Sequence, residues 1–222
     1  KELSNSSQMF IENNDDFVVI NKPSGVAVQS GTKSLKNILD ILRKTNEFAK
    51  STPFAVHRID KETTGILIVA KNRKYAQLFT NYFRLRKIKK NYLGIVLGEF
   101  ENKKGKFEDI LYHFEGKKKI SSKAITYYEI IDSNKGCSLI SLIPYTGRKH
   151  QLRKQLSIRG HFIIGDNKYR SYDKNIKINN KLMLHAHKIS FKIDNVKYTF
   201  SANIPKDFEY MLKKKYLKNV LW

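Results

Sequence analysis

The sequence predicts an α+β fold: a single domain with a large, mostly antiparallel sheet flanked by helices and loops. Three observations predict it. Runs of strand length and separate helical patterns are mixed along the chain. The 222 residues are 41% hydrophobic, enough to bury a proper core. No internal repeat is present, and no convincing linker follows residue 14.

The elements follow in order. Residues 1–14 read as a polar lead-in or linker remnant, and 15–222 as the folded body. Phe17-Val18-Val19-Ile20 is a short run of buried-strand type. Asn21-Lys22-Pro23-Ser24-Gly25 reads as a turn, in which Pro23 fixes φ and Gly25 is free to take a positive φ. Ser34 is the expected cap of a helix over 35–44, where Leu35, Ile38, Leu39 and Leu42 have helical spacing. Phe54-Ala55-Val56 leads into a polar loop that Gly65 ends, and Ile66 to Ala70 is an apolar run suited to a central strand. A helix is expected over 73–85, with Tyr75, Leu78, Phe79, Tyr82 and Phe83 as its apolar face.

The middle of the chain is rich in strands. Residues 90–97, 107–114, 124–131 and 138–144 read as extended, with Lys103-Lys104-Gly105 and Asn134-Lys135-Gly136 as turns. Lys117-Lys118-Lys119 is expected in an exposed loop. Helical spacing returns over 148–159, bracketed by Gly147 and Gly160. Residues 182–193 and 196–200 read as two strands joined by a tight Asp194-Asn195 turn, and Pro205 opens a last helix to about residue 215.

Charge is the strongest compositional signal. Forty-three Lys and Arg against 20 Asp and Glu give a net charge of +23, which favours a polyanionic partner. The competing explanation is a Lys-, Asn- and Ile-rich composition whose lysines are ordinary solvated surface. The chain has no apolar stretch long enough to span a membrane, and its first residues lack the apolar run of a signal peptide. Its single cysteine, Cys137, allows no internal disulfide, fits a cytoplasmic protein and argues against structural zinc.

Two segments could carry chemistry. His57-Arg58-Ile59-Asp60-Lys61-Glu62-Thr63-Thr64-Gly65 gathers charged groups and a histidine between apolar strands, where a scaffold can present them. By spacing alone, a polar turn with Asp60 bonded to local amides explains it at least as well. Thr146-Gly147-Arg148-Lys149-His150-Gln151-Leu152-Arg153-Lys154 puts basic residues at an expected helix start, where an unpartnered run would oppose the macrodipole; an anion or a buried carboxylate is the expected partner. His185 and His187 share a strand face, but nothing completes a metal site at a familiar spacing. Ser24 lacks the nucleophile elbow, and no glycine-rich phosphate loop occurs. Tyr92, in isolation, reads as strand packing.

Taken together, these motifs resemble the RluA family of pseudouridine synthases. His57 to Gly65 resembles its His-Arg-Leu-Asp-Lys-x-Thr-Ser-Gly signature. Asn21 to Gly25 matches Asn-Lys-Pro-x-Gly, Lys90-Asn91-Tyr92-Leu93 matches Lys-x-Tyr-Leu, and Thr146 to Arg153 matches Thr-Gly-Arg-Thr-His-Gln-Ile-Arg. Gly160-His161, Gly165-Asp166, Tyr169 and Leu184-His185-Ala186 follow in register. Ile59, Thr64, Lys149, Phe162 and Arg170 depart from the usual residues, and none removes a chemically required group.

The resemblance implies the pseudouridine synthase fold and one catalytic domain over 15–222. It implies a cofactor-free, metal-free isomerase, a monomer that rotates uridine in RNA so that ribose joins carbon 5 instead of nitrogen 1. Large-subunit (23S) ribosomal RNA is the expected substrate, as in RluC- and RluD-like members, and transfer RNA the alternative. A start without methionine suggests that an N-terminal RNA-binding domain was trimmed. Asp60 is implied as the catalytic carboxylate, Arg153 as its arginine partner and Tyr92 as the residue stacked on the target base. Arg58 is implied to fill the stack vacated by a flipped base, with Lys90 and Arg148 among the residues holding RNA. A non-catalytic RNA-binding or ribosome-assembly protein would explain the charge equally but not the joint presence of Asp60, Tyr92 and Arg153. A hydrolase using Asp60 would want a second carboxylate, for which Glu62 is the near candidate.

Overall fold

The computed structural model describes residues 6–29, 36–170 and 180–218. The chain folds as two compact units, Lys1–Lys90 with Ala186–Asn203, and Asn91–His185 with Ile204–Trp222. It leaves the first unit within strand β5 (Lys89–Leu97) and re-enters it within β9 (Leu184–Ile193).

The first unit opens with α1 (Ser6–Met9) and β1 (Phe10–Asn13). β1 lies antiparallel on β2 (Phe17–Lys22), so residues 10–13 of the polar lead-in are a strand. β2 pairs antiparallel with β4 (Thr64–Ala70), as does the short β3 (Phe54–Ala55). All seven residues of β4 are buried, as its unbroken apolar run predicts. β9 forms a hairpin with β10 (Val196–Ser201) through Asp194 and Asn195, whose φ values of 48° and 65° suit a two-residue turn. α3 (Arg73–Arg84) starts where the Asn72 side chain accepts the Tyr75 N–H. Its apolar face meets the sheet in an aromatic core: Phe79 packs edge-on against Phe17 at 5.2 Å and Phe191 at 5.3 Å, and Tyr198 stacks on Phe191.

In the second unit β5 pairs with β8 (Cys137–Pro144), β8 with β7 (Lys118–Asn134) and β7 with β6 (Lys104–Glu115), all antiparallel. Lys135 and Gly136, at φ 49° and 68°, turn β7 into β8. α4 (Gln151–Ile158) buries Leu152 and Leu156, while α5 (Lys206–Lys214) follows Pro205 and buries Phe208, Met211 and Leu212. Asp207 and Glu209 in the first turn of α5, with Lys213 and Lys214 in the last, match its macrodipole.

The α+β class and the antiparallel pairing agree with the sequence reading; several boundaries do not. α2 (Ile38–Leu42) is capped by Asn37, whose side chain accepts the Asp40 N–H; Ser34 and Leu35 lie outside the described residues. Lys103-Lys104-Gly105 is not a turn, because Lys104 already pairs with Glu129 at the start of β6. Lys118 and Lys119 belong to β7, not to a loop: cross-strand pairing continues to Glu115 and Lys118, leaving only Gly116 and Lys117 between the strands. The helix expected from Arg148 begins at Gln151, since His150 adopts a left-handed conformation (φ 54°).

Candidate active site

In the first unit, the loop bearing Asp60 is clamped from below by Lys22. That side chain is fully buried, and its Nζ donates to the carbonyls of Pro23 (2.7 Å), Val26 (2.8 Å) and Lys61 (2.9 Å). Three acceptors match the three protons of an ammonium group. Burial pulls the Lys22 pKa down to about 8, and the charges of Glu62 and Asp60 oppose that pull. The Gly25 N–H donates to the Lys61 carbonyl at 2.9 Å, and Ser24 Oγ donates to the Glu62 carbonyl at 3.1 Å. The turn formed by residues 21–25 is therefore a cradle for residues 61 and 62. The Thr63 N–H donates to the Asp60 carbonyl at 3.0 Å, closing a backbone turn.

The two ends of the loop are fixed as well. His57 Nε2 accepts the Ile68 N–H at 2.9 Å, and its ring stacks on Phe83 at 4.3 Å. Burial, with the nearby charge of Lys90, holds the His57 pKa at about 3, so the ring is a neutral acceptor. Gly65, at φ +109°, meets the backbone of Ala186: a Cβ there would stand 2.1 Å from the Ala186 carbonyl oxygen. This is what the glycine and the Leu184-His185-Ala186 motif require of one another. Asp60 is half-buried and Arg58 exposed. Lys90 is half-buried, its Nζ 6.0 Å from the Phe83 ring centroid, and burial lowers its pKa.

In the second unit, Arg153 on α4 is held bidentately: Nε and Nη2 each donate at 2.8 Å to the Asp166 carboxylate. Both side chains are buried. Asp166 also accepts the N–H groups of Lys168 (2.8 Å) and Tyr169 (3.1 Å). Burial pushes the Asp166 carboxyl up, but Arg153 and the two N–H groups outweigh it and hold the pKa below the ordinary value. The Tyr169 ring lies 5.1 Å from the Arg153 guanidinium, and its hydroxyl bonds His150 Nδ1. Arg153 is thus locked from two sides.

Thr146 and Gln151 of the same motif anchor α4. Thr146 Oγ1 donates to Gln151 Oε1 at 2.7 Å, and Gln151 Nε2 donates to Thr126 Oγ1 at 2.8 Å. Thr126 donates to Gln155 at 2.6 Å, Gln155 to Asp109 at 2.9 Å, and Arg159 pairs with Asp109 at 2.8 Å. This chain, buried at Thr126, Gln151 and Gln155 and half-buried at Asp109 and Arg159, fixes α4 to the sheet. Arg148 is exposed, with its Nε bonded to the Lys123 carbonyl at 3.0 Å. Tyr92 is buried on β5 opposite Leu142.

Asp60, Arg58 and Lys90 therefore belong to the first unit, and Tyr92, Arg148 and Arg153 to the second. Sequence reasoning does not single out Lys22 or Asp166. Their motifs, Asn-Lys-Pro-x-Gly and Gly-Asp, are visible, but a buried lysine and a carboxylate thirteen residues beyond its arginine give no periodic signal. His187, also buried, bonds the Ala202 carbonyl through Nδ1 at 3.1 Å. One further surface has a distinct character. Ile110, Tyr112, Phe114 and Tyr127 are exposed on the β6–β7 hairpin, beside Lys106, Lys119 and Lys123. Lys119 Nζ sits 4.1 Å from the Tyr112 ring centroid.

Comparisons with known proteins bear on the family and the fold. Residues 16–158 match the sequence model of a family described as RNA pseudouridylate synthase. Ribosomal large subunit pseudouridine synthase C of Rickettsia bellii is 32% identical over 91% of this chain and 70% of its own length. tRNA pseudouridine synthase C of Haemophilus ducreyi is 29% identical over 89% of this chain and 91% of its own. The chain spans between 60% and 72% of the length of the relatives bearing the ribosomal name. Human RNA Pseudouridylate Synthase Domain Containing 4 shares the fold, with a TM-score of 0.82 at 24% identity, covering 96% of this chain and 95% of that one.

Proposed function

The chain belongs to the RNA pseudouridylate synthase family, and from that premise we propose that it isomerises uridines of large-subunit ribosomal RNA to pseudouridine. The observation that carries the proposal is the clamp on the Asp60 loop: a buried lysine, a neutral histidine and a sterically required glycine all hold one carboxylate-bearing segment in place. A polar turn needs no such support.

In the reaction the C1′–N1 glycosidic bond breaks and a C1′–C5 bond forms; the ring loses its C5 proton and N1 gains one. No oxidant, metal or nucleotide energy source enters that balance. Asp60 acts as an ionised carboxylate, whether it attacks the ribose, attacks the ring or removes a ribose proton. Arg153, fixed by Asp166, is the arginine partner we assign to that carboxylate. Tyr92 stacks on the target base and assists at the C5 proton. Arg58 fills the stack that the flipped uridine vacates, and Lys90 and Arg148 hold RNA. The aromatic and basic face of the β6–β7 hairpin offers stacking and phosphate contacts to the same RNA. The proposal includes a cytoplasmic monomer in which residues 15–222 form one catalytic domain.

Transfer RNA is the second reading, because a relative named for it aligns over 91% of its own length. One experiment addresses both. Pseudouridines are mapped in ribosomal and transfer RNA of cells with and without the protein, and with Asp60→Asn. New sites in 23S RNA that vanish in the variant, while RNA binding stays nearly intact, support the proposal. Sites confined to transfer RNA overturn the substrate, and comparable activity in Asp60→Asn overturns the role of Asp60.

A further inference from the structure

The first unit contains a cavity of about 470 Å³ whose lining includes Lys87, Lys89, Lys192 and Lys197, together with Tyr82 and Ser190. Its volume falls in the range of pockets that take small ligands. No acidic residue among those described lines it. Among the described residues, none of the four lysines forms an ion pair.

The strand register sharpens this. On β9 and β10, Lys192 stands directly opposite Lys197, and Ser190 opposite Thr199. They alternate along the strands with Phe191, which also lines the cavity and packs in the aromatic core, and with Tyr198, which stacks on it. Like charges directly opposite one another destabilise a strand pair. Lys87 has a local explanation: it follows the C-terminus of α3, where a cation suits the macrodipole, and its Nζ lies 5.4 Å from the Tyr82 ring centroid. Lys192 and Lys197 have none, since a hairpin offers no such dipole. An anion in the cavity would offset the repulsion.

We infer that this cavity is a second RNA-binding site, gripping the phosphodiester backbone of the substrate through residues separate from those assigned to catalysis. The inference rests on the RNA substrate proposed above. The cavity is larger than a lone phosphate needs, and an aromatic ring among lysines suits a nucleotide, whose base stacks while its phosphate is neutralised.

The test compares Lys192→Gln/Lys197→Gln with the charge-matched pair Lys44→Gln/Lys50→Gln, both in the Asp60→Asn background. Lys44 and Lys50 are exposed residues of the same unit outside the cavity. Binding of a uridine-containing RNA stem-loop is measured over a salt series. The cavity pair should bind about tenfold more weakly, and its slope of log K against log salt should flatten by about 1.4–1.8, the loss of two phosphate contacts. The control pair should change by less than half as much. Equal changes in the two pairs overturn the inference, because they report the overall field. Titration with inorganic phosphate distinguishes a small-anion site: saturable phosphate binding lost in the cavity pair, with the RNA slope unchanged, also overturns it. Pseudouridine formation by the parent chain on the same stem-loop reports on the proposed function separately, since its absence leaves the slope comparison standing.

Discussion

Replacing Lys22 by Met keeps the aliphatic stem and removes all three donors. Two opposing effects set the outcome. A shift from 10.5 to about 8 means that the buried ammonium is disfavoured by about 3.4 kcal/mol relative to water, a cost that the substitution relieves. Against it, the carbonyls of Pro23, Val26 and Lys61 lose their donor, at about 1–3 kcal/mol each, or about 6 kcal/mol for three. The net expectation is a loss of about 2–3 kcal/mol, read as a lower urea midpoint at constant m. Amide exchange at Gly25, whose N–H bonds Lys61, should accelerate, and pseudouridine formation should fall together with it. A variant of unchanged stability that retained full activity would show that the three-carbonyl clamp does not hold the Asp60 loop. Alkaline pH probes the same group. The folded pKa lies below the unfolded one, so the folded chain releases its proton first, and the Lys22 contribution should raise stability between about pH 8 and 10.5. Lys22→Met should lack that rise.

The other predictions concern the remaining supports. Gly65→Ala forces a Cβ against the Ala186 carbonyl at a positive φ, and should cost about 3 kcal/mol, lowering Tm by about 6–12 °C in a thermal melt. Asp166→Asn leaves Arg153 buried without its carboxylate and should cost about 3–5 kcal/mol at pH 7 by urea titration. Because the Asp166 pKa is depressed on folding, its stabilisation is present above the ordinary value of 3.8 and is lost as pH falls below it; the variant should show a shallower acid loss. Tyr92→Phe should keep much of its stacking and measurable pseudouridine formation in a tritium-release assay, whereas total loss would implicate the hydroxyl.

The elements legible in the sequence are those whose period dictates a face. The β4 run, the α3 stripe and the Asp194-Asn195 hairpin each carry their own signal. What is not legible depends on partners distant in sequence. Lys118 and Lys119 look like loop residues, yet pairing with Phe114 and Glu115 makes them strand. Arg148 and Lys149 look like a helix start, yet the left-handed turn at His150 displaces it. The Asp60 loop alone suggests only a polar turn, and its backbone does close one. Its importance lies in what grips it, and Lys22 sits almost forty residues upstream. The cross-strand facing of Lys192 and Lys197 likewise emerges only once the register is known.

The division of the first unit into two chain segments has a consequence for biosynthesis. Gly65 is shaped for the backbone of Ala186, and Phe17 and Phe79 pack on Phe191, so the early segment leaves the ribosome before the strands that complete its core exist. At about 5–20 residues per second, that gap of 95 residues lasts about 5–19 s. During it, the apolar run of β4 lacks its β9 neighbour, and the whole stretch 91–185 of the second unit is made in the interval. The order of synthesis and the order of folding therefore differ: the segment made first is completed only after most of the later one has been made. A ribosome stalled before Ala186 should display a protease-sensitive first segment, and chaperones that shield exposed strand edges should find their target there.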